Sequence, residues 1–206
     1  MSASAKSPAS ALLPHGLDDL LGPPESEAQM LGGGITNRNL RVRYGGRDVV
    51  VRLAGKDTAL LGIDRECERQ ATTAAAAAGI GPEVVAFLRD PECLVTEFIP
   101  GRTLGRSDLG RPDVIAEVAV VLWELHGGPQ IPNRFSAWDV VDRYAAIAAE
   151  RGASAPGAFG DLRECARRIH AAVDPAHPEH APVPCHNDLL SGNFIHDGER
   201  LRIVDW

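Results

Sequence analysis

The sequence contains no run approaching the roughly 18 consecutive apolar residues that a membrane-spanning helix needs. Its first fifteen residues also lack a charged stretch leading into an apolar one. Membrane insertion is therefore not expected, and the chain is read as cytoplasmic. None of the four cysteines, Cys67, Cys93, Cys165 and Cys185, forms a C-x-x-C pair. That spacing argues against a zinc site or a disulfide framework and leaves them as small buried apolar side chains. Positive charge is short as well: 21 Lys and Arg against 28 Asp and Glu give a formal net charge of −7. Such a chain repels polyanions, so neither broad nucleic-acid binding nor a polybasic membrane patch is expected, whereas a nucleotide carrying its own metal ion is still allowed. No repeat of fixed period runs through the chain, which argues against a solenoid.

What is present is a 206-residue chain that is 44% apolar, enough to build a core. Residues 1–28, rich in Ala, Ser and Pro, are expected to be a disordered or weakly ordered tail with a short helix around Leu17 to Leu21. From Leu31 the pattern is that of strands. Leu40, Val42 and Tyr44 alternate with polar residues, Gly45-Gly46 makes a two-residue turn, and Val49 to Leu53 returns as the second arm of a hairpin. Asp64 is placed to cap a helix running to about Ala78, which Gly79 and Pro82 end. Val84 to Leu88 and Cys93 to Ile99 read as two more strands joined by a turn, and Pro100-Gly101 breaks the sheet.

Beyond residue 100 the period becomes helical. Ile115, Val118, Leu122 and Leu125 define a core-facing helix behind Pro112 and ahead of Gly127. Ser136 and Asp139 resemble a capping box for a second helix, and Leu162, Cys165, Ile169 and Val173 mark a third. The end of the chain reads as a loop at His186-Asn187-Asp188 and a hairpin around Asp197-Gly198 that leads to Asp205-Trp206.

Phosphoryl transfer needs cations around phosphates, hard oxygens around magnesium, and an acceptor for the incoming hydroxyl's proton. In His186-Asn187-Asp188-Leu189-Leu190-Ser191-Gly192-Asn193 an aspartate precedes an asparagine by five residues, the spacing of a kinase catalytic loop. Asp188 would accept or orient the substrate proton, while Asn193 and Asp205 would supply oxygens to Mg²⁺. Singly, these residues would be an Asx turn, a loop amide and a solvated strand end; the joint spacing favours the chemical reading. His186 is assigned to bracing the loop near Asp205 rather than to acting as the base.

The run His186 to Ile195, followed by Ile203-Val204-Asp205-Trp206, resembles the choline/ethanolamine kinase branch of the aminoglycoside phosphotransferase and protein-kinase-like superfamily. The resemblance implies an α+β, two-lobed protein-kinase-like fold. Its N-lobe, residues 29–100, would be an antiparallel sheet plus a helix that binds nucleotide; residues 101–206 would be a mainly helical, incomplete C-lobe. It further implies ATP and Mg²⁺ as cofactors and a small alcohol, choline, ethanolamine or similar, as acceptor. Leu31 to Asn37 resembles the branch's glycine-rich nucleotide turn, which assigns Gly33, Gly34, Thr36 and Asn37 to the phosphates. Arg52 takes the place of the kinase strand lysine. Glu68 on the following helix is its expected partner, with Glu66 as the alternative. Cys93 to Leu104 resembles the hinge, where main-chain groups of Glu97 and Ile99 would bond adenine. The same parts serve aminoglycoside phosphotransferases, and a nucleotide-binding module without catalysis is the competing reading. A complete member would continue past Trp206 with helices that form much of the acceptor pocket, so this chain is expected to expose apolar helix faces.

Overall fold

The computed structural model describes residues 8–32, 37–55, 62, 64–131, 133–173 and 182–206. Gly33, Gly34 and Thr36 of the glycine-rich turn lie outside the described residues. Contacts divide the chain into two units, Met1–Ile131 with Pro184–Trp206, and Pro132–Val183.

In the first unit the alternation read from Leu40, Val42 and Tyr44 becomes strand β2 (Asn37–Tyr44), paired antiparallel with β3 (Arg47–Ala54). Gly45 and Gly46, with φ of 54° and 78°, make the turn between them, a left-handed geometry that two residues with side chains would adopt only under strain. With β1 (Gln29–Leu31), β4 (Val84–Arg89) and β5 (Glu92–Glu97) they form one antiparallel sheet of order β1-β2-β3-β5-β4. The register sets Asn39 opposite Arg52 and Arg52 opposite Leu94.

One face of this sheet buries Leu40, Val42, Tyr44, Val49, Val51, Cys93 and Val95 together with Leu17 and Ala28. Leu17 opens helix α1 (Leu17–Leu21) and is fully buried. The Tyr44 hydroxyl reaches Asp18 Oδ1 at 3.3 Å, and Ser10 Oγ accepts from the Ala28 N–H at 2.9 Å. Residues 8–28, expected as a weakly ordered tail with a short helix around Leu17 to Leu21, thus carry that helix and pack on the sheet. Composition gave no period there, yet a few apolar side chains are enough to hold the segment once a sheet face is available, each stabilising by about 1.5–3 kcal/mol on burial.

Helix α2 (Arg65–Ala77) is capped by Asp64, whose carboxylate accepts from the Glu66 and Cys67 N–H groups at 2.9 and 3.0 Å. After it the chain enters β4 and β5, then a small second sheet of β6 (Arg102–Thr103), β7 (Phe194–His196) and β8 (Leu201–Ile203). Helix α3 (Pro112–His126) closes a second core, made of Ala75, Ile80, Leu104, Val114, Val121, Leu125, Phe194, Leu201 and Ile203. Its buried residues are Val114, Val121 and Leu125, with Val118 and Leu122 partly buried, so Ile115, expected inside, is exposed.

The second unit consists of α4 (Ala137–Glu150), capped by Ser136 through the Asp139 N–H at 3.2 Å, and α5 (Phe159–Val173). They are joined by Asp142, which pairs with Arg163 at 2.5 Å and Arg167 at 3.2 Å, and by Trp138 stacked on His170 at 5.0 Å. Neither helix buries a residue, and Leu162, Ile169 and Val173 lie exposed. Of the four cysteines only Cys93 is buried, its thiol pushed up to about 12 by burial; Cys165 and Cys185 are exposed, against the expectation of four core residues. Among the described residues no helix is long and apolar enough to cross a membrane.

Candidate active site

Strand β3 carries Arg52 toward helix α2, one turn of which presents Glu68. Arg52 Nη1 lies 2.5 Å from Glu68 Oε1, both side chains being largely buried. Glu66 points elsewhere, to Arg69 at 2.5 Å and Arg89 at 3.3 Å, and these guanidiniums with the Gln70 amide hold its carboxyl down at about 2. The partner of Arg52 on the helix is therefore Glu68. The same arginine extends Nη2 to Asp205 Oδ1 at 2.8 Å and Nη1 to the Trp206 carbonyl at 3.3 Å. A single guanidinium thus joins the helix glutamate to the aspartate that follows β8.

Sequence reasoning missed one member of this cluster. Arg65, in the first turn of α2 and 8% exposed, donates Nη1 to Glu68 Oε2 at 2.5 Å and Nη2 to Asn37 Oδ1 at 2.8 Å. The i,i+3 spacing to Glu68 was the available signal. Asn37 is therefore engaged through its side-chain oxygen with Arg65.

The loop before β7 is braced as its sequence implied. The Asp188 N–H donates to His186 Nδ1 at 3.3 Å, which leaves the proton on Nε2, 3.0 Å from the Val204 carbonyl. The ring meets Trp206 edge-on at 4.7 Å. Burial holds the imidazole below its ordinary value, so it stays neutral and takes the role of a brace. Asn187, between His186 and Asp188, has φ 62°, and Asp205 has φ 69°; both are left-handed, and strain of this kind collects at functional sites. Asn193 Nδ2 donates to the Asp188 carbonyl at 3.0 Å, which turns the amide so that Oδ1 is the atom left for another partner.

Behind these residues the packing is tight. A Cβ on Gly81 would stand 2.6 Å from Ala75 Cβ and 2.9 Å from the Trp206 indole nitrogen, so only glycine lets the chain pass there. The indole donates to the Ile203 carbonyl at 2.8 Å.

A cavity of about 360 Å³ runs between the large sheet and the loop, within the range of about 300–1,000 Å³ for small-molecule sites. Arg52, Asn193 and Asp205 line it on one side; Leu94, Thr96, Glu97 and Ile99 line it on another. Asn39 Oδ1 is buried at this cavity without a hydrogen-bond partner. Of the residues singled out from sequence, Arg52, Glu97, Ile99, Asn193 and Asp205 thus share one cavity. Glu68 and Asn37 stand behind it, and the exposed Asp188 is tied to it through its own carbonyl and Asn193.

Residues 27–206 match the phosphotransferase enzyme family. A probable ethanolamine kinase A from Dictyostelium discoideum is 29% identical over 189 residues, which cover 82% of this chain and 51% of that protein. A solved choline/ethanolamine kinase family protein from Mesorhizobium loti is 29% identical and superposes with a TM-score of 0.67 over 96% of this chain and 62% of the other. The structure of LicA in complex with AMP shares the fold, with a TM-score of 0.69 at 21% identity over 96% of this chain and 65% of that one. The chain spans about half the length of the curated relatives it matches. With a family match over nearly the whole of its length, the chain belongs to the phosphotransferase enzyme family.

Proposed function

We propose that the protein is an ATP- and Mg²⁺-dependent phosphotransferase acting in the cytoplasm on the hydroxyl of a small amino alcohol of the choline or ethanolamine kind. The observation that carries this reading is the convergence of Arg52, Asn193 and Asp205 on one cavity with the Glu97–Ile99 segment. Residues 29–100 would form the nucleotide-binding lobe and residues 101–206 part of the C-lobe, with no nucleic acid as partner. The choice of acceptor rests on the relatives, among them the Dictyostelium discoideum and Mesorhizobium loti proteins, which bear choline or ethanolamine in their names.

Main-chain groups of Glu97 and Ile99 would receive the base. The Glu97 N–H is already given to the Glu83 carbonyl at 2.8 Å, so the Glu97 carbonyl is the group it would offer. Gly33, Gly34, Thr36 and Asn37 would lie along the phosphates, and Arg52 would offset their charge. Asn193 Oδ1 and the Asp205 carboxylate form a set of hard oxygens that suits Mg²⁺, whose bound charge would neutralise the phosphates. Asp188 would accept or orient the acceptor's proton, its position held by the Asn193 amide and the His186 ring. Transfer would then draw on positioning and charge neutralisation, as phosphoryl transfer generally does.

The test is Asp188→Asn in the intact protein, assayed with ATP and a panel of amino alcohols and aminoglycosides. Turnover is expected to fall about 100-fold or more while ATP affinity is kept. Undiminished turnover would remove Asp188 from the chemistry, and ATP binding with no transfer to any alcohol would turn the reading to a nucleotide-binding module.

A further inference from the structure

We infer that Arg65 is a positioning residue for the nucleotide phosphates: by neutralising Glu68 it leaves the charge of Arg52 free to face a polyanion. This rests on the phosphotransferase reading and adds a component to it.

The buried Glu68 carboxylate receives one guanidinium on each oxygen, Arg52 and Arg65, both at 2.5 Å. A glutamate carries one negative charge, so Arg52 and Glu68 alone would sum to zero and draw phosphate less strongly than an arginine whose partner is already neutralised. Arg65 changes the sum. Arg52, Glu68 and Arg65 together keep one positive charge, which Asp205 balances in this structure through its 2.8 Å contact with Arg52. Once Asp205 is engaged elsewhere, that charge is exposed at the cavity, which Arg52 lines. Poor screening at a buried site makes such a difference count.

The placement of Arg65 points to the same role. It is buried, its Nε has no hydrogen-bond partner among the described residues, and it does not line the cavity. Its Nη2 is fixed by Asn37 Oδ1 at 2.8 Å, a neutral acceptor that leaves Glu68 as the charged partner of the guanidinium among the described residues. Arg65 therefore acts on phosphate through Glu68 and Arg52.

The test measures dissociation constants of ATP and adenosine by calorimetry in the intact protein, for wild type, Arg65→Lys, Arg65→Met and Arg65→Met/Glu68→Gln. Arg65→Met is expected to weaken ATP about tenfold or more while adenosine changes by less than about twofold. Arg65→Lys should recover most of the loss. The double variant, which removes both charges of the pair, should bind ATP within about threefold of wild type. Equal losses for ATP and adenosine, or a double variant as weak as Arg65→Met, would overturn the inference in favour of a scaffolding role. If Arg65→Met alone fails to fold, the double variant carries the test, and a loss of about tenfold or more in ATP affinity overturns the inference. A wild type with no ATP affinity would sink the phosphotransferase reading itself, whereas a wild type that binds ATP and an unaffected Arg65→Met would remove only the part given to Arg65.

Discussion

The two units of this chain are built from similar local signals and stabilised in different ways. In the first, strands and helices bury two apolar clusters, and the ion pairs of Glu68 lie inside, with side-chain exposures of 12% or less. In the second, α4 is capped by Ser136 and both α4 and α5 have clear apolar periodicity, yet no residue of either helix is buried, and Asp142 meets its arginines while 44% exposed. Amphipathic sequence makes a helix; a surface to pack against makes it stable. Every residue proposed for chemistry belongs to the first unit, where the buried pairs of Glu68 with Arg52 and Arg65 are poorly screened.

Three measurements would break or sharpen this contrast. The largest effect is expected from Phe194→Ala, a fully buried ring in the second core, which should cost about 3–5 kcal/mol in denaturant unfolding. Leu162→Ala, at a side chain 66% exposed, should stay within about 0.5 kcal/mol. Comparable losses would mean that the α5 stripe is packed after all. Next, Glu68→Ala strands two buried arginines and is expected to cost about 3–5 kcal/mol, whereas Asp142→Ala, at an exposed pair, should cost far less. Raising the salt concentration should erase the Asp142 effect and leave the Glu68 effect largely intact, and the opposite response would reverse the contrast. The narrowest effect concerns His186. Burial lowers its folded-state value from 6.5, so the unfolded chain binds the proton more readily. The stabilisation is full above 6.5 and is lost as pH falls through the depressed folded value. In His186→Gln this part of the pH dependence should vanish; an unchanged acid limb would show that the imidazole does not titrate with unfolding.

Much of this architecture could be read before any coordinate. The β2–β3 hairpin was visible because alternation and a double glycine agree, and α2 because Asp64 and Gly79 mark its two ends. The face of α3 was not. Val114, Ile115, Val118, Val120, Val121 and Leu122 are all apolar, so helical spacing alone allowed a stripe through Ile115, and tertiary contact chose the one through Val114. The packing of Leu17 was hidden for a related reason: it depends on a sheet face assembled from residues some 25 to 80 positions away. At the site, the spacing of Asp188, Asn193 and Asp205 was legible because it matches that of a kinase catalytic loop. Arg65 was not, because an arginine three residues from a glutamate usually marks a solvated helix face. Only the position of β2, which brings Asn37 to its guanidinium, makes it part of a buried cluster.

The end of α2 and the strand leading to Asp205 are stitched together. The Ile203 N–H donates to the Ile80 carbonyl at 2.7 Å, and Arg202 Nη2 donates to the Gly81 carbonyl at 2.5 Å. The segment that closes the helix bearing Glu68 is therefore tied by two hydrogen bonds to the strand that delivers Asp205, and these ties help to set the spacing between the two carboxylates.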